Sequence, residues 1–386
     1  MFGDAYAGRR VFVTGHTGFK GTWLSEWLLD LGAQVTGYAL DPESRPNMFE
    51  SVGLIGGYAK PPDVRGTFRD MRGDVRDRES LSAALAEAEP EIIFHLAAQP
   101  LVRRSYSEPH LTLDTNVMGT VHLLEAVRSL CGAGRGPEAV VVVTSDKCYE
   151  NPETGYGCTE ADSLGGWDVY SASKACAEIV TSAYRRSFFL APGSPRLATA
   201  RAGNVIGGGD WGVDRIVPDC ARALIAGHAV EVRNPDAVRP WQHVLESLSG
   251  YLWLGARLWR AEVAGGDPRR ADACAWNLGP GTESSRTVRE VVELFLRAWG
   301  DGEWRLAPGA GDQPHEAGLL NLDASKAHDL LGWRPVWAVE EAVDATAGWY
   351  RAWCMRTDVT DVARRTHADL AAYQEAARAL SMPWVE

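Results

Sequence analysis

Residues 9–21, "RRVFVTGHTGFKG", decide the fold. The apolar run Val11, Phe12, Val13 breaks into a turn punctuated by Gly15, Gly18 and Gly21; Trp23, Leu24, Trp27, Leu28 and Leu31 then recur at helical spacing. That is strand, loop, helix. Outward from it, "AQVTGYAL" (33–40) reads as a second strand, "TFRDMRGDVRD" (67–77) as a third ending near Asp74, and "EIIFHLAAQP" (91–100) as a fourth, with helical or loop text such as "DRESLSAALAEAEP" (77–90) between them. Val117, Val121, Leu124 and Val127 mark a helix over about 114–130, residues 139–143 a strand, about 170–189 a helix, and "RLATARAGNVIGGGDW" (196–211) a further strand and Gly-rich loop. The alternation predicts an α/β fold, a Rossmann-type doubly wound parallel sheet. Beyond residue 211 the text is irregular, with short helical and extended pieces; residues 276–299 and 322–353 read as loop-plus-helix units. The expected division is a dinucleotide-binding domain over 1–200 and a smaller C-terminal substrate-binding lobe over 201–386, interleaved because later segments return to the first.

The 386 residues are 45% hydrophobic, enough for a large core, and the formal net charge is -12. That charge repels polyanions and no Lys/Arg cluster offsets it, so neither nucleic acid nor a membrane surface is an expected partner. Seven cysteines, an odd number without a C-x-x-C pair, read as reduced thiols, and nine histidines show no H-x-x-x-H pairing, so no metal site is expected. The first residues lack an apolar signal core and no run reaches the roughly 18 apolar residues of a membrane span, which makes the cytoplasm the expected location.

A glycine-spaced turn between strand and helix lets the backbone approach a pyrophosphate, which the free N–H groups of the helix terminus attract. An ordinary turn would use the same glycines. At the head of a βαβ text, a dinucleotide site is favoured. Asp41 is the nearest acid after the second strand to bind ribose hydroxyls, and no arginine stands at that strand's end to receive a 2'-phosphate, Arg45 being the first; NAD is therefore expected over NADP. Asp74 could accept from an adenine amine or equally cap a helix.

Tyr170 and Lys174, in "YSASK", lie four apart on one expected helix and so share a face. Such a pair also occurs by chance on exposed helices. A phenol titrates near pH 10, and lowering it by about 3 units, about 4 kcal/mol, needs a neighbouring ammonium and a cationic ring. Residues 141–150, "VVVTSDKCYE", carry a strand whose carboxyl end delivers Ser145, Asp146 and Lys147. Ser145 could bind an alcohol under oxidation, and Asp146 and Lys147 could then remove a proton beside the new ketone and protonate a departing hydroxyl. They could instead form a structural ion pair. As a base, Lys147 must be desolvated or near another cation, because about one lysine in a few thousand is neutral at pH 7.

These residues, with "HLAAQPLVRRSY" (95–106), "TNVMGT" (115–120), "LGGWDVYSASKACAEI" (164–179), "RAGNVIGGGDW" (201–211), "RNPDAVRPWQHVLE" (233–246) and "LGWRPVW" (331–337), resemble the extended short-chain dehydrogenase/reductase superfamily and, within it, the CDP-glucose 4,6-dehydratases. The resemblance spans nearly the whole chain. Its specific part is the Ser-Asp-Lys triplet, since dTDP-glucose dehydratases generally carry Asp-Glu there and plain epimerases lack the pair. It implies a nucleotide-sugar substrate, NAD, a homodimer through the helices around 114–130 and 170–189, and loss of water from the sugar, with Ser145, Asp146, Lys147, Tyr170 and Lys174 catalytic. Cofactor contacts are implied for Gly15, Thr17, Gly18, Phe19, Gly21, Asp41, Asp74, Val75, Leu96, Ala97, Ala98, Asn116, Tyr170 and Lys174. Substrate contacts are implied for Gln99, Ser145, Asn204, Arg215, Arg233 and Arg239, while Trp241, Gln242 and His243 are expected to serve packing. Between Glu150 and Tyr170 the chain departs from the family: Cys158 and Thr159 stand for a tyrosine and an arginine, and Ser163 and Val169 for prolines. Competing readings are a nucleotide-sugar 4-epimerase, a dehydratase of another NDP-hexose, and a catalytically silent NAD-binding protein.

Overall fold

The computed structural model describes residues 1–54, 64–150, 156–263, 272–308 and 321–386. Its apolar runs form β1 (Arg10–Thr14), β2 (Gln34–Ala39), β3 (Thr67–Arg72), β4 (Ile92–His95), β5 (Ala139–Val143) and β6 (Arg196–Ala202), and a late segment adds β7 (Ala275–Leu278). The sheet order is β7-β6-β5-β4-β1-β2-β3 with every pairing parallel. Parallel strands are covered on both faces, so the whole of β5 is buried and its side chains alternate between two cores. Ala139, Val141 and Val143 join one cluster, Val140 and Val142 the other.

The crossover helices follow from local chemistry. α1 (Phe19–Asp30) ends where Gly32 takes φ +84°, a conformation that glycine adopts without strain. α2 (Arg78–Ala88) is capped by Asp77, which accepts from the N–H groups of Glu79 and Ser80. The cap expected as one option for Asp74 therefore falls to Asp77. Residues 114–118 form a π-helical turn leading into α3 (Gly119–Gly132), and α4 (Val169–Phe188) starts at Asp168, whose carboxylate accepts from Ser171 N and Oγ.

Beyond β6 the structure corrects the expectation of irregular text. After α5 (Ile216–Ile225) comes α6 (Val244–Val263), a 20-residue helix packed against β5 and β6. Gly250 and Gly255 disguise it, since glycine disfavours a helix interior by about 1 kcal/mol. Packing demands them: a Cβ on Gly255 would lie 2.7 Å from Tyr6 Oη, and one on Gly250 2.6 Å from Leu278 Cδ1. α7 (Val288–Trp299) opens with a capping box between Thr287 and Glu290, and α8 (Val339–Met355) follows. A final helix, α9 (Val359–Ala379), lies across α1, with His367 3.1 Å from Glu26 and Gln374 Nε2 donating to Asp30. The tail then meets the N-terminus, where Phe2 stacks on Trp384. Among the described residues no helix is long and apolar enough to cross a membrane, and no cluster of His, Cys, Asp and Glu could hold a metal ion.

Glu246 on α6 holds this assembly together. Its carboxylate is fully buried and accepts from Val336 N, Trp337 N and Tyr373 Oη at 2.9, 2.8 and 2.6 Å. Burial pushes its pKa up to about 7. Glu246→Ala orphans three buried donors at about 1–3 kcal/mol each, so chemical unfolding should report a loss above about 3 kcal/mol. A loss under about 1 kcal/mol would mean that water satisfies those donors instead.

Candidate active site

The strand order reverses between β1 and β4, whose loops leave in opposite directions and open a crevice at the carboxyl ends of the strands. The glycine loop lines it. Gly15 takes φ +77°, and a Cβ there would lie 2.8 Å from Ala97 N; one on Gly21 would lie 2.1 Å from Gly15 O. Gly18 is the N-cap of α1 and offers no side-chain cap, so the first-turn N–H groups of a 12-residue helix are left to another acceptor. These features fit a dinucleotide pyrophosphate. Phe19 begins the helix, Thr17 Oγ1 donates to Leu40 O at 2.9 Å, and Leu96 N and Ala97 N both donate to Thr14 Oγ1, which ties the two loops together beside the half-buried Ala98.

At the adenosine end Asp41 is exposed and lies 3.5 Å from Arg72. Here the structure corrects the expectation that no arginine stands near the end of β2: Arg72 arrives from β3. Its guanidinium is already engaged by Asp70, Asp41 and Leu40 O and stacks over Phe49, so it offers no open fork. Asp74 pairs with Arg76, and Val75 is buried against Gly119. His16, inside the glycine loop, is fully buried, donates from Nε2 to the Asp70 carboxylate at 2.9 Å, and occupies the space that a side chain on Gly37 would need.

The acid-base residues converge. Ser145 stands two residues beyond β5 and caps a short turn; its Oγ donates to Asp146 Oδ1 at 2.8 Å and accepts from Lys147 N, and its hydroxyl lies close enough to Tyr170 to favour the phenolate. Tyr170 enters on the first turn of α4, and Lys174, one turn on, donates to Val143 O at 3.5 Å. Asp146 is buried, with Oδ2 3.3 Å from where a Cβ on Gly203 would be, and Asn204, the next residue, is half-buried. Lys147 is half-buried, and among the described residues it makes no ion pair with Asp146 or any other acid. The structural ion pair considered for these two residues is absent from this arrangement.

Burial governs the electrostatics. It pushes the Tyr170 phenol up to about 12, with the Ser145 hydrogen bond pulling down and the Asp146 charge pushing up. It lowers Lys174 to about 8 against the opposing charge of Glu178. The phenol of the protein alone is thus further from a base than the Tyr-Lys spacing implies. Sequence reasoning missed Lys20, whose side chain reaches the same crevice, with Nζ 3.4 Å from Tyr251 Oη and its pKa lowered by burial to about 8 in the field of Asp146 and Arg215. Its place in "GFKG" was the available signal.

The remaining candidates divide. Gln99 and Asn116 are buried and spend their amides internally: Gln99 on Leu101 and Thr112, Asn116 on Gln99 and Ser173. Arg215, at the start of α5, pairs with Asp210 and lies in the field of Tyr170. Arg233 stands further out, 2.7 Å from Asp214, and Arg239 donates to Val238 O. Trp241, Gln242 and His243 are buried, the last between Trp23 and Trp337. Cys158 is buried with Cys148, Tyr149 and Ala175, Thr159 bonds Asp162, and Ser163 O accepts from Glu150 N; residues 151–155 of that departing stretch lie outside the described residues.

Asp146→Asn removes the charge that raises Tyr170. The limb of NAD reduction that rises with pH as the phenol ionises should then move to lower pH. Single-turnover absorbance across pH checks this, and a shift to higher pH would refute the assignment.

Comparison with known proteins gives the site a context. The family model described as GDP-mannose 4,6 dehydratase matches residues 12–263. A CDP-glucose 4,6-dehydratase of Salmonella typhimurium is 46% identical over 368 residues, covering 94% of this chain and 96% of that protein. A dTDP-glucose 4,6-dehydratase of Streptomyces antibioticus is 30% identical over 88% of this chain and 92% of its own length. Among solved structures, a dTDP-glucose 4,6-dehydratase of Streptomyces venezuelae with NAD bound superposes with a TM-score of 0.68 at 26% identity, over 89% of this chain and 97% of that one.

Proposed function

The chain belongs to the GDP-mannose 4,6-dehydratase family of the extended short-chain dehydrogenases, and from that premise we propose that it is an NAD-dependent hydro-lyase converting CDP-glucose to CDP-4-keto-6-deoxyglucose and water. The observation that carries the reading is Ser145, hydrogen-bonded to Asp146 and set close enough to Tyr170 to favour its phenolate. It joins an oxidation set to an elimination set at one strand end.

NAD, when bound, would supply transient hydride storage between C4 and C6 of the sugar. Gly15, Gly18 and Gly21 would receive the pyrophosphate, Asp41 the adenosine ribose, and Lys174 the nicotinamide ribose. Tyr170 takes the C4 hydroxyl proton while Ser145 holds that oxygen. Once C4 is a ketone the C5 proton is acidic, and Lys147 removes it. Asp146, entering this step in its protonated form, gives its proton to the C6 hydroxyl so that water departs, and Lys147 returns a proton to C5 as C6 is reduced. Asn204 and Arg215 lie beside the sugar and diphosphate, and Arg233 and Arg239 receive the nucleotide. Gln99 and Asn116 support this set through the backbone they hold. Residues 1–200 serve mainly the cofactor and 201–386 mainly the substrate, with α6, β7 and α9 returning to the first half.

The active form is a homodimer: Leu113, Met118, Ile179 and Phe188 are exposed apolar side chains along the helices that a second copy would cover. The seven cysteines are all free, which suits a reducing cytoplasm.

Incubating the protein with CDP-, UDP-, GDP- and dTDP-glucose and weighing the products tests the reading. We expect a product lighter by one water from CDP-glucose. Unchanged mass with a new stereoisomer would make the protein an epimerase, and NAD binding without turnover on any of the four would make it a silent binder. Lys147→Ala should cut water loss by about 10²–10⁴-fold, the size of a general-base contribution, while still permitting reduction of bound NAD. Full dehydratase activity in that variant would remove Lys147 from the mechanism.

A further inference from the structure

Behind the crevice lies a second set of buried charges to which the reaction above assigns no step. Glu178 sits one helical turn beyond Lys174 on α4 and is 3% exposed. Its Oε1 accepts from Thr144 Oγ1, and its Oε2 accepts from Thr199 Oγ1 at 2.7 Å and Arg201 Nη2 at 2.8 Å. Arg201, 4% exposed, gives its other arm to Tyr149 Oη at 2.6 Å and lies over that ring. Tyr149 Oη donates to Asn277 Oδ1 at 2.7 Å, and Asn277 Nδ2 donates to the carbonyls of Cys158 and Asp323.

Burying a carboxylate and a guanidinium costs several kcal/mol per ion before their attraction repays it, and apolar residues of the same volume would fill the core as well. Stability therefore does not account for the pair. Its position does. Thr144 immediately precedes Ser145 and Tyr149 follows Cys148, so the pair grips the segment bearing Ser145, Asp146 and Lys147 at both ends. The carboxylate itself rides on the helix that carries Tyr170 and Lys174.

Resting on the dehydratase reading above, we infer that the Glu178–Arg201 pair is a positioning device that holds the elimination set, Asp146 and Lys147, in register with the oxidation set, Tyr170 and Lys174. Neither residue touches the sugar; they act through Thr144 and Tyr149. The two sets serve different steps. Tyr170 and Lys174 are held on their own helix, whereas Asp146 and Lys147 depend on the gripped turn, so loosening the grip impairs water loss more than the preceding oxidation. A misplacement of about 1 Å costs about 10²-fold in rate.

Two near-isosteric variants of the holoenzyme test this, Glu178→Gln and Tyr149→Phe, the second removing one hydroxyl and leaving the ring over Arg201. Because Glu178→Gln also removes the charge that supports Lys174, Tyr149→Phe decides where the two differ. With CDP-glucose, the near-ultraviolet absorbance of reduced nicotinamide is followed by stopped flow beside the release of ketosugar and the thermal midpoint. We expect kcat for water loss to fall about 10–100-fold with KM within about twofold, and reduced nicotinamide to build up on a larger fraction of sites than in the unmodified enzyme. Equal loss of oxidation and dehydration without that build-up would reduce the pair to a fold element and overturn the inference, as would unaltered kcat in both variants. If Glu178→Gln does not fold, Tyr149→Phe decides by the same readout. Failure of the unmodified protein to dehydrate any nucleotide sugar is a separate outcome that removes the reading beneath the inference, and the inference with it.

Discussion

β1 is paired in parallel with both β2 and β4, and everything functional depends on that constraint. Because the chain winds one way from β1 through β3 and the other way from β4 through β7, the loops after β1 and β4 diverge, and the space between them cannot be filled by either. Closing the two loops to within a backbone contact is possible only without a side chain at Gly15, whose missing Cβ would sit 2.8 Å from Ala97 N. The same absence at Gly21 lets α1 start directly under the turn. A crevice floored by backbone N–H groups results, with the polar carboxyl end of β5 beside it.

What the crevice then does is set by desolvation. Lys20, Lys174 and Tyr170 are all pushed towards their neutral forms by burial, while Asp146 supplies a negative charge that favours charged Lys20 and opposes the phenolate, and Glu178 favours charged Lys174. The arrangement is tense in the protein alone, and a ligand carrying charge of its own changes that balance. Glu178 and Arg201, one layer deeper, remain paired to one another and keep that tension in a fixed geometry.

Much of this was legible in linear text. β5 falls on residues 139–143 as its β-branched run requires, and α4 differs from the expected span by one residue at each end. The glycine loop and the Ser-Asp-Lys triplet were visible because each is a local pattern with a local cause. α6 was not visible, since its glycines answer to Tyr6, Phe94 and Leu278 and its buried Ser247, Ser249 and Glu246 interrupt any apolar stripe. Arg72 escaped for a related reason: it belongs to β3 and reaches Asp41 only across the strand pairing.

The order of strands and helices, the phosphate-ready turn and the chemical identity of the acid, bases and phenol are properties of short stretches, because backbone periodicity and side-chain chemistry act over a few residues. Which of those groups meet, how far burial displaces their protons, and which partners hold them still are decided only by packing, because such contacts join residues as distant as Lys20 and Tyr251 or Tyr149 and Asn277, and the electrostatic cost of each group depends on the water that its neighbours exclude.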